Sequence, residues 1–318
     1  MTELVAFGET GLRLSATPGE RLEAADRLRV RAAGPESNAA VAARRVGADA
    51  AWLSRLPDTA LGHRVVDELR GYDLDVAVEW VEDSADADDR VGLTFQERAR
   101  APRGDTAVHD HAGAAMAGVS MDSVPVDRIE GADVAYTTGA TPALSPGAAT
   151  ATARYLKAAS DAGATTALGI AYRTDRWDGP GAARETLTEF FPAVDILLTS
   201  AADAATVLDQ DGQPPAAAHA LAADHGFETV LVHGTHGATA LHGGTVHEVD
   251  PVEVDTRDAT GAVDAFAGAF CAELADTGDV EVALRTGAAT EALARTVEGA
   301  VPRVRRDEID RILETFGE

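Results

Sequence analysis

A chain of 318 residues with 45% hydrophobic content is long enough for one large α/β domain or two small ones with a sizeable core. Its formal charge of −26, from 53 acidic against 27 basic residues, repels nucleic acid and anionic membranes and argues against both as partners. No apolar run is long enough to span a bilayer, the first residues carry no signal-peptide core, and the lone Cys271 rules out an internal disulfide and fits a reducing cytoplasm. An acidic tail, a disordered chain and a salt-adapted globular protein all produce such acidity. Here the acids are scattered through periodic segments, and Lys157 is the one lysine among the basic residues, so the salt-adapted reading wins. A halophilic protein of a molar-salt cytoplasm is expected.

Leu4–Glu9 reads as a buried first strand, and Leu12–Ser15 as a short alternating one. After the turn at Ala16–Gly19, Arg29–Ala33 returns as a strand. Gly34-Pro35-Glu36-Ser37-Asn38 follows, then a small-residue helix, Ala39–Val46, closed by Gly47. Asn38 suits an N-cap of that helix. Ala51–Leu56 is a strand, His63–Arg70 a helix stopped by Gly71, and Val76–Val81 a strand. Glu82–Asp89 is an acidic, solvated turn, and Val91–Glu97 alternates again. Segments of about 10–33 and 73–110 are expected to form a small β-lid on one unit spanning 1–318.

Asp133–Gly139, Thr166–Ile170, Val194–Thr199 and Thr229–Gly234 are further strands; Pro146–Ala162 and Leu284–Leu293 are helical. Strands alternating with Ala-rich helices give an open, mostly parallel sheet covered on both faces, an α/β three-layer sandwich. Sites in such sheets lie beyond the carboxyl ends of the strands, where Gly34, Arg173, Gly234 and Asp264 fall. There is no P-loop and no Gly-x-Gly-x-x-Gly fingerprint.

The stretch Asp258–Gly268 carries the clearest chemistry. Small residues at Gly261 and Ala262 let the backbone turn tightly into an apolar helix. The free N–H groups at its start, reinforced by the helix dipole, suit a phosphate. Asp264 sits in the first turn, with two roles open: taking a proton from a hydroxyl beside that phosphate, or complementing the dipole.

This stretch resembles the second signature of the ribokinase, or phosphofructokinase-B, superfamily of sugar kinases, usually Asp-Thr-Thr-Gly-Ala-Gly-Asp-x-Phe. The resemblance implies a ribokinase-like fold. It also implies that Asp264 is the catalytic base and that the amides of Gly261, Ala262, Val263 and Asp264 form an anion hole. Val263 replaces a glycine, so the loop must be right-handed there or altered. Gly34 to Asn38 is similar to the first signature, which makes Gly34 and Asn38 sugar contacts.

The opening Gly-Glu, Leu-Arg-Leu, Glu-Ser-Asn and the insert Ala101–Gly104 look most like the 2-keto-3-deoxygluconate kinase branch, over nearly the whole chain. Where that branch carries Tyr-Asp-Arg-Ala-Asn, this chain has His109-Asp110-His111-Ala112-Gly113, so a carboxylate-gripping arginine becomes His111. His109 and His111 are either an exposed loop pair, a substrate contact or, with Asp110, a weak metal cluster. The pattern Asp-x-Asn-x-Arg becomes Gly169-Ile170-Ala171-Tyr172-Arg173, leaving Arg173 as an anion contact or a surface ion pair. Asn-x-x-Glu becomes Ser200-Ala201-Ala202-Asp203, with a carboxylate displaced by one helical position, about 100° away.

His233, Gly234, Thr235 and Gly237 lie in the stretch that resembles the nucleotide segment. Ser200, at the Asn-x-x-Glu position, is expected to contact the nucleotide with them, and the start of the Leu284 helix corresponds to the adenine flank. The resemblance implies ATP and Mg2+ as cofactors and a sugar or sugar acid as small-molecule partner. No residue is assigned as a metal ligand. Two functions follow: ATP-dependent phosphorylation of a sugar or sugar-acid hydroxyl, or, given the altered motifs, a weak or inactive paralogue that binds sugar or nucleotide. Exposed lid edges would favour a homo-oligomer.

Overall fold

A computed structural model describes residues 2–82, 89–99, 102–120, 122 and 126–316. The acidic turn at 82–89 therefore lies mostly outside the described residues, as does Ala101 of the insert.

The first half of the chain runs β1 (Glu3–Phe7), β2 (Gly11–Ser15), β3 (Arg29–Ala33), α1 (Pro35–Val46), β4 (Asp49–Pro57), α2 (Ala60–Arg70) and β5 (Asp75–Val81). It continues with β6 (Leu93–Glu97), β7 (Thr106–Asp110), β8 (Val134–Thr138), α3 (Pro146–Ala162), β9 (Thr165–Gly169) and α4 (Pro180–Thr188). The second half holds β10 (Ile196–Ser200), α5 (Ala201–Val207), α6 (Pro214–His225), β11 (Thr229–Gly234), β12 (Gly237–His242) and β13 (Thr245–Val249). Three helices close it, α7 (Ala262–Thr277), α8 (Val280–Arg295) and α9 (Arg306–Thr315).

Nine strands form the large sheet in the order β13-β12-β11-β10-β9-β8-β1-β4-β5. Pairing is parallel from β5 to β11 and antiparallel through β12 and β13. Alternate residues of β1 enter opposite cores: Leu4 and Ala6 pack with α1, α7 and α8, whereas Val5 and Phe7 pack with α3. A strand buried on both faces reads as a continuous apolar run, and this is the physical reason for a three-layer sandwich. Chain order reverses at β1, with β4 on one side and β8 on the other. That switch point opens a crevice beyond the strand ends.

The small sheet has the order β3-β2-β6-β7. It uses less of the chain than expected. Residues 75–81 form β5, which pairs in parallel with β4 at the edge of the large sheet. The second lid segment therefore begins near 93, not 73. The mostly apolar run Val76–Val81 suits a strand in either sheet, so sequence pattern could not separate the two.

Candidate active site

α1 begins at Pro35, with Gly34 as its N-cap, so Asn38 lies inside the helix and is not the cap. From there its Nδ2 donates to Asp264 Oδ2 at 2.9 Å. The contact depends on Gly268, one turn beyond Asp264. A Cβ there would sit 1.9 Å from the Ala39 carbonyl oxygen, so only glycine lets α7 cross α1 this closely. Gly34 is also tightly placed, with Glu9 O 2.2 Å from a notional Cβ.

The turn into α7 rests on Gly261, which has φ +74. A Cβ at Gly261 would lie 2.1 Å from Ala300 O, so backbone conformation and space both require glycine. The left-handed residue is thus Gly261, and Val263 already lies within the helix. Its side chain is 49% exposed and borders two adjoining chambers. Ala262 is buried, and its N–H faces Ala259 O at 3.3 Å. First-turn N–H groups have no acceptor four residues back, which leaves Val263 and Asp264 donors for an anion.

The smaller chamber, about 80 Å3, is bounded by the carboxyl ends of β8, β9 and β10 together with Ser200, Asp203 and Asp264. Desolvation raises the Asp264 pKa, against the opposing effects of Asn38 and Arg173. Arg173 thus lies within electrostatic reach of the carboxylate. Asp203 also faces this chamber, contrary to the displacement argument. Ser200 caps α5, its Oγ accepting from Asp203 N–H at 2.9 Å. The Asp203 carboxylate accepts from Tyr172 N–H at 3.4 Å. Burial raises its pKa, with Tyr172, Ser200 and Arg173 opposing. The cap orients the first turn of α5 toward the strand ends, which a helical-wheel displacement does not register.

The larger chamber, about 600 Å3, contains Ser200, His233, Gly234, Thr235 and Gly237 with Val263 and Phe266. Gly237, at φ +105, packs onto Val249 O. His233 Nε2 lies 2.8 Å from Glu291 Oε2, and its ring meets Phe266 edge-on at 5.4 Å. The contribution of α8 comes from Ala288, Glu291, Ala292 and Arg295, in its second half, not from its start. Ser200, His233, Val263 and Phe266 border both chambers, which meet at the mouth of α7.

On the lid side, His111 is not an exposed loop residue. Its Nδ1 lies 2.8 Å from both Glu9 oxygens, and its Nε2 3.1 Å from Thr94 Oγ1. Arg176 Nη1 donates to Glu9 Oε2 at 3.2 Å and to Ala140 O. Burial works to raise the Glu9 pKa, but His111 and Arg176 outweigh it and hold it below the usual range. His109 lies on β7, whose residues are all exposed, with Nδ1 3.1 Å from Thr94 Oγ1. Desolvation lowers its pKa, Asp175 opposes, and Arg176, His111 and Arg173 add to the lowering. Asp110 pairs with Arg90, away from the histidines. Among the described residues no group of three or more His, Cys, Asp or Glu can hold a metal ion.

Sequence reasoning missed Glu9, Glu36, Arg176 and Thr94. Glu36 is fully buried. Its Oε1 accepts from Thr138 N–H and Oγ1 and from Thr141 Oγ1, while its Oε2 has no partner among the described residues. Burial pushes its pKa up to about 7, with Asp264 adding to the rise. The buried glutamate inside Gly-Pro-Glu-Ser-Asn was the available signal, since a carboxylate at an apolar helix start demands partners.

An anion-ready helix mouth, an adjacent carboxylate and a roomy glycine-edged chamber at an α/β switch point define a phosphotransferase-type site. The pfkB family carbohydrate kinase model matches residues 1–305, and the chain belongs to this family. It is 47% identical over 312 residues to a 2-dehydro-3-deoxygalactonokinase of Haloferax volcanii, covering 98% of this chain and 96% of that protein. A 2-dehydro-3-deoxygluconokinase of Thermoproteus tenax is 30% identical over 315 residues, covering 97% and 94%. The crystal structure of a 2-dehydro-3-deoxygluconokinase from Thermotoga maritima superposes with a TM-score of 0.89 at 24% identity, covering 99% and 100%. The protein is a carbohydrate kinase, transferring phosphate from ATP to a sugar hydroxyl. The inactive-paralogue reading finds no support.

Proposed function

We propose that the substrate is a 2-keto-3-deoxy sugar acid, phosphorylated on a hydroxyl that Asp264 deprotonates. The observation that carries this is the Asn38–Asp264 contact at the mouth of α7, where both chambers meet. The raised Asp264 pKa suits a general base. N–H groups of the first turn of α7 would stabilise charge on the moving phosphoryl group, where most catalysis in such transfers lies. Gly34, packed against Glu9 and Thr10, would contact the sugar through its backbone, with Asn38 orienting the base. Arg173 and Arg176, beside His109 and His111, supply positive charge for the substrate carboxylate in place of the missing lid arginine.

The larger chamber has the size of a nucleotide site, and Ser200, His233, Gly234, Thr235 and Gly237 would contact ATP there. Mg2+ is held mainly by phosphate oxygens and water in such sites and neutralises their charge. Asp203, a partly desolvated carboxylate beside the chamber, fits that role. A cytoplasmic setting agrees with the single buried Cys271.

ADP release with a panel of sugars and sugar acids in molar KCl tests the reading. The 2-keto-3-deoxy acids should give the highest kcat/KM, and Asp264→Asn should lower kcat by about 10²- to 10⁴-fold while nucleotide binding persists. The acid limb of kcat/KM should lie above the ordinary aspartate range. An Asp264→Asn enzyme that turns over like wild type would remove Asp264 as base. A preference for neutral sugars would remove the carboxylate assignment.

A further inference from the structure

A third cavity, about 370 Å3, lies between the small sheet and the segment before α7. It shares no lining residue with either chamber of the active site. Arg13, Arg27, Arg29, Arg31 and Arg98 face it, against the carboxylates Asp258 and Glu298. The arginines come from the small sheet and its connections, and the carboxylates from the body. In a chain of net charge −26 this local surplus of positive charge runs against the whole molecule.

Cross-strand register sharpens the point. Arg13 stands opposite Arg31, and Ser15 opposite Arg29, so the three guanidinium groups share one face. Like charges directly opposite are destabilising unless something lies between them. Arg13 and Arg98 pair with Asp258, at 3.2 and 3.1 Å, and Arg29 pairs with Glu298. Arg31 is half-buried and has no carboxylate partner among the described residues, and its buried Nε is unbonded. Arg27 likewise has no carboxylate partner there. A purely structural cluster could have drawn further partners from 53 acidic residues.

We infer that this cavity is a second anion site, one that takes a small phosphate dianion between the small sheet and the body. Guanidinium forks match phosphate oxygens bidentately, and the volume suits a compact organic phosphate. The site also touches the catalytic loop. Asp258 accepts from Thr260 N–H at 3.1 Å and from Gly299 N–H at 3.1 Å, so it joins the arginines to the turn that leads into Gly261. Inorganic phosphate and the phosphorylated sugar acid that the proposed reaction releases share this chemistry. The second source rests on that proposed function; the first does not.

Isothermal titration in molar KCl, with a non-hydrolysable ATP analogue filling the nucleotide chamber, tests the inference. Inorganic phosphate should bind saturably, one per chain. Arg31→Ala should weaken binding about tenfold or more, exposed Arg27→Ala several-fold, and the remote Arg154→Ala not at all. Circular dichroism checks that each variant is folded; should Arg31→Ala unfold, Arg27→Ala and Arg27→Glu carry the comparison. Tighter binding of the phosphorylated sugar acid, with the same sensitivity to the arginine variants, assigns the site to product; equal affinities assign it to free phosphate. Absence of saturable binding by either titrant overturns the inference, as does binding that the analogue abolishes or that folded arginine variants leave intact.

Discussion

Ala171 has φ +42, a left-handed conformation that a Cβ disfavours by about 1 kcal/mol. The family pattern places asparagine here, a residue that tolerates this region by bonding locally. Ala171 borders the Asp264 chamber, so strain sits beside the chemistry. Ala171→Gly should stabilise the fold by about 1 kcal/mol, read as a thermal midpoint raised by a few degrees. An unchanged midpoint would mean that the backbone is not strained there. The buried Arg13–Asp258 pair is a different residue-scale case. Burial works to raise the Asp258 pKa, yet Arg13 and the N–H groups of Gly299 and Thr260 hold it below the usual range. The carboxylate therefore stays charged inside the protein; removing Arg13 leaves it Arg98, whereas removing Asp258 leaves the buried Arg13 uncompensated.

At the scale of elements, Glu36 ties the start of α1 to the end of β8 through Thr138 and Thr141. Thr141 Oγ1 in turn accepts from Glu9 N–H at 3.2 Å, so the Glu9 backbone joins the network around the Glu36 carboxylate. The folded pKa of Glu36, about 7, exceeds its ordinary value of 4.5. The folded state therefore holds that proton more tightly. The associated stability is complete below about 4.5 and is lost as pH rises through about 7. Glu9 and Asp258, with lowered pKa values, act oppositely and lose stability as pH falls. Glu36→Gln isolates the first effect. The variant should be more stable than wild type at pH 8, by on the order of a few kcal/mol, with the gap closing toward pH 5. Parallel denaturation profiles of the two proteins across that range would refute this account of Glu36.

At the scale of the whole molecule, charge dominates. A net charge of −26 repels itself across the surface, and screening length is about 3 Å at 1 M salt but about 10 Å at 0.1 M. Dilution from molar KCl to 0.1 M should lower the thermal midpoint by on the order of 10 °C or unfold the protein. A midpoint indifferent to salt would contradict the salt-adapted reading. Among the described residues no helix is long and apolar enough to cross a membrane. The covered sheet leaves function to the crevice at the switch point and to the small sheet above it.

Sequence by itself determined the layered α/β plan, because doubly buried strands such as Leu4–Phe7 must be continuously apolar and their helices small-residue and periodic. It also determined the turn into α7, since Gly261 is required by local backbone conformation. Tertiary structure alone decided the partners. Asn38 meets Asp264 across 226 residues, Arg176 meets Glu9 across 167, and Asp203 turns inward through its Ser200 cap. Those contacts depend on helix crossings such as that at Gly268 and on strand order, neither of which is written in local periodicity. The edge strand β5 shows the same limit, because its apolar run marks a strand but not the sheet that the strand will join.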